Sequence, residues 1–148
     1  MRLSAKSRYG LAAMTYMAQL YSNGEYITIL SISEALGVSK VYLEQIFALL
    51  KRAEIVISTK GAQGGYRLSR SPKDITVLKI LSAIETSLFE KTEETVADAV
   101  PSLEKAMQIC VFEQLSSTIE EVLGNITLQD LVQEAERQRD NDAFMFFI

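Results

Sequence analysis

The sequence predicts a mainly α-helical chain that carries one small β-hairpin. Apolar residues recur at helical spacing through several separate stretches. Two short β-prone runs, 55–60 and 66–70, flank a loop holding three glycines. Hydroxyl residues or glycines stand where the helical patterns begin or end. With 148 residues, 48% apolar and 23% charged, the chain can bury one good core or two small ones.

The opening MRLSAKSRYGLAAMTYMAQLY is basic and then apolar. It superficially resembles a secretion signal, but no clean apolar core is followed by a small-residue cleavage site. It therefore predicts a mature N-terminal helix in a cytoplasmic protein. Leu11, Met14, Met17, Ala18 and Tyr21 keep helical spacing and are expected in the core. Arg2, Lys6 and Arg8 form a basic cluster suited to backbone phosphates, which fix register without specifying sequence.

In SISEALGVSKVYLEQIFALLKRAEI, Ser31 with Glu34 three residues on reads as a capping box that opens a short helix. Gly37 permits the sharp turn that ends it. Ser39 caps a second helix, whose Leu43, Ile46, Phe47 and Leu50 form a buried stripe. Two helices joined by a tight glycine turn make a helix-turn-helix. The opposite face shows Lys40, Val41, Glu44, Gln45, Ala48 and Lys51. Such a mixture suits major-groove readout: Gln bonds adenine, Glu accepts from cytosine and Val meets a thymine methyl, although a merely solvated face has a similar look.

The glycine-rich loop after this unit leads into a second strand rather than a helix N-terminus, which argues against a nucleotide loop. It reads instead as a hairpin wing, with Lys60, Arg67 and Arg70 available to phosphates, the alternative being an ordinary hairpin. Thr76 is expected to cap a helix to about Thr86, burying Leu78, Ile80, Leu81 and Ile84. Residues 87 to 100 are acidic and weakly periodic, as in a mobile loop or short helix.

Pro101 opens a long helix to Leu123, stopped by Gly124 in the manner of a left-handed cap. Leu103, Met107, Val111, Leu115, Ile119 and Val122 form one stripe, with Ile109 and Phe112 off it. A helix apolar on more than one side needs a partner, so Met107, Val111, Leu115, Ile119 and Val122 are expected at a dimer interface. Thr127 caps a last helix to about Arg137. After the polar run QEAERQRDND the chain finishes on NDAFMFFI, six of whose eight residues are apolar. Free termini usually stay polar, so this end asks for a partner.

The absences are informative. Without histidine, Ser/His and Cys/His nucleophilic catalysis and imidazole metal sites are excluded, and the single Cys110 can form neither an internal disulfide nor a thiolate metal site. An enzyme is not expected. No apolar run approaches the roughly 20 residues that span a bilayer. The net charge of −4 conceals an asymmetry: residues 1–76 hold ten Lys/Arg against five Asp/Glu, and residues 77–148 hold five against fourteen. A basic module for a polyanion is thus joined to an acidic one with another task.

The stretches MRLSAKSRYGLAAM, VYLEQIFALLKRAEIV, KGAQGGYRL, ITVLKILSAIE and NITLQDL together resemble the Rrf-two family of bacterial winged helix-turn-helix transcription regulators, across nearly the whole chain. The resemblance implies a homodimer on a partly palindromic double-stranded DNA operator, with Glu44 and Gln45 in the major groove and the wing beside it. The DNA-contacting set is then Arg2, Ser4, Lys6 and Arg8; Ser39, Lys40, Val41, Tyr42, Glu44, Gln45 and Lys51; and Lys60, Gln63, Gly64, Gly65 and Arg67. The implied organisation is a winged helix-turn-helix domain over residues 1–86, a dimerisation region over 87–138 built on the long helix 101–123, and a partner-binding tail over 139–148.

Many members of the family hold an iron-sulfur cluster on three cysteines of the loop before the long helix. Here that loop has none, and Cys110 lies inside the helix, so no cluster and no cofactor is expected. Cys110 reads as a small buried apolar residue, or alternatively as an oxidant-sensing thiol. The family's cluster-free branch of cysteine-metabolism repressors is the closer match, with a similar aromatic, Met-containing end finishing in Ile. That branch is regulated by complex formation with cysteine synthase (O-acetylserine thiol-lyase). The resemblance implies that Phe144, Met145, Phe146, Phe147 and Ile148 enter that enzyme's cleft, terminal carboxylate first. Packing of the same residues on the repressor's own core is the competing reading, and a protein-interaction module that never meets DNA is the competing function.

Overall fold

A computed structural model describes residues 3–61 and 64–147. The helices are α1 (Ala5–Gln19), α2 (Ile29–Leu36), α3 (Lys40–Arg52), α4 (Val77–Ile84), α5 (Pro101–Met107), α6 (Glu113–Gly124) and α7 (Leu128–Phe146); strands β1 (Val56–Thr59) and β2 (Gly65–Leu68) lie between α3 and α4. The core gathers Met14 and Met17 of α1, Ile32 of α2, Leu43, Ile46, Phe47 and Leu50 of α3, and Ile80 of α4. Burying each such side chain contributes about 1.5–3 kcal/mol. Leu128 and Val132 from the start of α7 join the same core. They are held there by a backbone bridge in which Val77 N–H donates to Ile126 O (2.8 Å) and Leu128 N–H to Ile75 O (2.9 Å).

The helix-turn-helix forms as the pattern requires, with one correction at its start. Thr28, not Ser31, caps α2: its hydroxyl accepts from Ser31 N–H (3.1 Å), while the Ser31 hydroxyl turns back to Thr28 O. Starting three residues earlier lets both Ile29 and Ile32 face the core, and Glu34 stays exposed outside any capping box. Gly37 ends the helix in the left-handed region at φ 66°, as its lack of a Cβ allows. The Ser39 hydroxyl accepts from Tyr42 N–H and caps α3.

Antiparallel β1 and β2 pair Val56 with Leu68 on the core side and Ile57 with Arg67 on the outer side. On the other edge of β2, Ile27 forms an isolated antiparallel bridge, exchanging two backbone bonds with Tyr66 (2.7 and 2.8 Å).

Four further expectations are corrected. Tyr21 lies past α1 in a short 3₁₀ turn and is exposed. Gly124 does not adopt a left-handed cap; α6 ends through Asn125 at φ −97°. A Cβ there would lie 3.5 Å from Leu78 Cδ2 of α4, an ordinary van der Waals contact. The last helix continues nine residues beyond Arg137, to Phe146. Its polar run is rich in good helix formers and self-supporting, with Glu134 accepting from Arg137 Nε (3.0 Å) and Gln138 Nε2 (2.8 Å). The long helix also differs in detail, because a π turn over Gln108–Phe112 separates α5 from α6.

Candidate nucleic-acid interface

The amphipathic α3 buries Leu43, Ile46, Phe47 and Leu50 and turns Lys40, Val41, Glu44, Gln45, Ala48 and Lys51 to solvent. Val41 is 65% exposed, a large apolar side chain with no partner on its own chain. Lys40 Nζ lies 4.0 Å from Glu44 Oε1 on this open face, an exposed contact worth only about 0.3–0.5 kcal/mol. Both groups are therefore free to exchange partners. Lys51 and Arg52 occupy the last turn, where cations complement the helix dipole.

Other expected contact residues have structural tasks. Tyr42 is half-buried and packs edge-on against Tyr9, with ring centroids 5.7 Å apart. Ser39 spends its hydroxyl on the α3 cap. Ser4 caps α1 by accepting from Ser7 N–H, and its own hydroxyl donates to Glu85 Oε2 (2.6 Å). Lys6 is half-buried and Arg8 exposed in the first turn of α1.

At the hairpin, Lys60 is exposed immediately after β1. Arg67 is exposed on the outer face, its guanidinium 4.9 Å from the centre of the Tyr26 ring, a cation–π contact that orients it. Gly64 and Gly65 are closely approached by backbone. A Cβ on Gly65, whose φ is 143°, would lie 2.4 Å from Ile27 O, and one on Gly64 would lie 2.8 Å from Thr59 O. The expectations for Arg2, Gln63 and Ile148 fall outside the described residues.

The helix bearing the expected dimer residues presents an uncovered apolar surface. Leu103, Ile109, Val111, Leu115 and Val122 are exposed, and Met107 and Ile119 half-exposed. Phe144, Met145, Phe146 and Phe147 are 68–85% exposed at the end of α7 and do not pack on the core of their own chain. Cys110, expected to be buried, is exposed within the π turn Gln108–Phe112.

Two carboxylates with structural roles, Glu104 and Glu85, were not singled out in the sequence. Glu104 is buried and accepts from the backbone N–H of Val96 (2.8 Å) and Thr95 (3.1 Å). The Val96 bond is the main reason its carboxyl sits below the ordinary 4.5, despite desolvation acting the other way. Its place in the first turn of a helix opened by proline was the available signal. Glu85, just past α4, accepts from the Ser4 and Ser7 hydroxyls, which lower its carboxyl below 4.5. No periodicity marks it. Among the described residues no helix is long and apolar enough to cross a membrane.

The family model described as Rrf2, iron-dependent transcriptional regulator, matches residues 3–134. The HTH-type transcriptional regulator IscR of Photobacterium profundum is 36% identical over 134 residues, covering 90% of this chain and 77% of its own. Among solved structures, T. potens IscR superposes with a TM-score of 0.72 at 38% identity, covering 93% of this chain and 90% of that one. CymR, the global cysteine regulator of B. subtilis, does so with a TM-score of 0.73 at 29% identity, covering 90% and 98%.

These matches correct one expectation. A family described as iron-dependent, with IscR regulators among the similar relatives, overturns the expectation of no cofactor, an iron-containing group being what that description implies. The donors within one chain do not fit such a group: Cys110 is the only cysteine, and no group of three His, Cys, Asp or Glu side chains that could hold a metal occurs among the described residues. With nearly nine-tenths of its length matched by the family model, the chain belongs to the Rrf2 family of transcriptional regulators, which are not enzymes.

Proposed function

We propose that the protein is a homodimeric, cytoplasmic repressor that reads a partly palindromic operator with the exposed face of α3. The observation that carries this reading is that face: Lys40, Val41, Glu44, Gln45 and Lys51 stand open to solvent, while the other side of the same helix is locked in the core. Gln45 and Glu44 reach base edges and Val41 meets a thymine methyl. Lys51, Lys60, Arg8 and Arg67 contact phosphates. Residues 1–86 form the DNA-binding unit, completed by the buried start of α7, and the uncovered apolar surface of α5 and α6 forms the dimer contact, residues 87–138 being the dimerisation region. Salt titration tests the phosphate role: Lys60→Ala should weaken binding to operator and random duplex alike and lower the salt slope by about 1. An unchanged slope removes Lys60 from the interface.

The regulated genes in this reading are those of cysteine and sulfur supply, and the co-regulator is cysteine synthase. Two observations favour it. The fold is similar to CymR, a global cysteine regulator. The aromatic end, Phe144 to Phe147, is held out from the protein's own core at the tip of a long helix. A terminal carboxylate followed by apolar side chains suits capture in an enzyme cleft. Removal of Ile148 alone should sharply weaken complex formation with cysteine synthase in calorimetric titration, and O-acetylserine should dissociate the intact complex. Undiminished binding by the shortened protein ends this part of the reading.

A further inference from the structure

Every side-chain hydrogen bond among the described residues that joins positions more than 15 apart ends on one oxygen, Glu85 Oε2. It accepts from Ser4 N–H (3.1 Å), the Ser4 hydroxyl (2.6 Å) and the Ser7 hydroxyl (2.6 Å). Ser7 is fully buried, so Glu85 is what satisfies its hydroxyl. The arrangement resolves two electrostatic oddities. The first turn of α1 holds Lys6 and Arg8 and no acid, the wrong sign for a helix N-terminus. Glu85 follows the last turn of α4, where a carboxylate is equally misplaced for its own helix. Brought together, the Glu85 carboxylate supplies at the N-terminus of α1 the anion that this helix lacks in its own first turn.

Glu85 is also the first residue of the connection to the long helix. A 3₁₀ turn, Thr86–Phe89, follows it directly, and the far part of the connection is pinned by Glu104 through the N–H groups of Thr95 and Val96. One carboxylate thus ties the start of this segment to α1, and a second ties its end to α5.

We propose that Glu85 is a positioning residue for DNA binding: it sets the basic first turn of α1 against operator phosphates and makes that placement depend on the path of the 86–100 segment. Acting through Lys6 and Arg8, it adjusts phosphate contact and leaves base readout by α3 alone. The proposal rests on the DNA-reading function given above.

The test uses the full-length chain, a random-sequence duplex and a site selected from a random pool. Glu85→Gln should weaken binding to both duplexes by the same factor, on the order of tenfold, and flatten the salt slope by about 1 to 2 as phosphate contacts are lost. The ratio of the two affinities should not change. Glu104→Gln, which loosens the other end of the segment, should weaken binding in the wild-type background and add nothing once Glu85 is replaced. Glu85→Asp should restore part of the slope. A Glu85→Gln protein that melts earlier but keeps affinity and slope overturns the proposal, and so does additivity of the two substitutions. Wild-type protein that binds neither duplex would instead defeat the DNA-reading function itself.

Discussion

Gly65→Ala is expected to destabilise the fold rather than weaken a groove contact. A Cβ at this position meets Ile27 O at 2.4 Å and Ile27 C at 2.6 Å, both backbone atoms that cannot swing aside. The rung between Ile27 and Tyr66 must open, losing two backbone bonds of 2.7 and 2.8 Å, each worth about 1 kcal/mol. Holding a side chain near φ 143° adds about 1 kcal/mol of strain. The stiffer unfolded chain returns about 0.4–1 kcal/mol, which leaves a net loss of about 2–3 kcal/mol. For a chain of this size that corresponds to a fall in Tm of roughly 5–10 °C. Gly61→Ala is the control. Its φ of 108° is also unusual, but nothing lies within 4 Å of the added atom, so only the strain of about 1 kcal/mol applies. Thermal melts of both variants beside the wild type decide the matter. Equal melting of the two variants, with Gly65→Ala losing DNA affinity at unchanged stability, would refute the packing argument and return Gly65 to the groove.

Three further outcomes are expected. Leu115→Glu, on the open face of α6, should leave the Tm of the single chain nearly unchanged while weakening the dimer at least about 100-fold in sedimentation equilibrium, because it buries an unpaired carboxylate at the contact; an intact dimer places the interface elsewhere. Glu85 and Glu104 are held below the ordinary 4.5 in the folded state, so their contribution to stability is complete above 4.5 and is lost as pH falls through their lower folded values; melts recorded on acidification should show Glu104→Gln losing less stability than the wild type, and parallel curves would remove the carboxylate's role. Deleting residues 144 to 148 should shift the melt by no more than about 1 °C, since the side chains of Phe144 to Phe147 bury little on their own chain; a large loss of stability shows that the tail packs on the protein's own core.

Much of the architecture was legible because it rests on periodicity and capping. The stripe Leu43, Ile46, Phe47 and Leu50 and the turn at Gly37 are local patterns with one favourable outcome, and both formed as read. Boundaries were legible only where the cap was local. Ser31 and Glu34 satisfied the capping-box pattern, yet Thr28 won because the earlier start buries Ile29, a tertiary gain that spacing does not show. The extension of α7 to Phe146 was hidden because a solvated, polar helix lacks the apolar stripe by which helices are recognised. Of the interface, the open face of α3 followed from helical geometry alone. What could not be read was which residues are already committed: Ser4, Tyr42 and Gly65 each meet a partner distant in sequence, namely Glu85, Tyr9 and Ile27.

The account turns on α3 reading bases. Quantitative titration of wild type and Gln45→Ala against the selected operator, its single-base variants and random duplex, at fixed salt, tests this directly. The account predicts a loss of about 1–3 kcal/mol on the operator, relaxed preference at one base position, and no change on random duplex. Equal losses on operator and random duplex, with the preference intact, would contradict it.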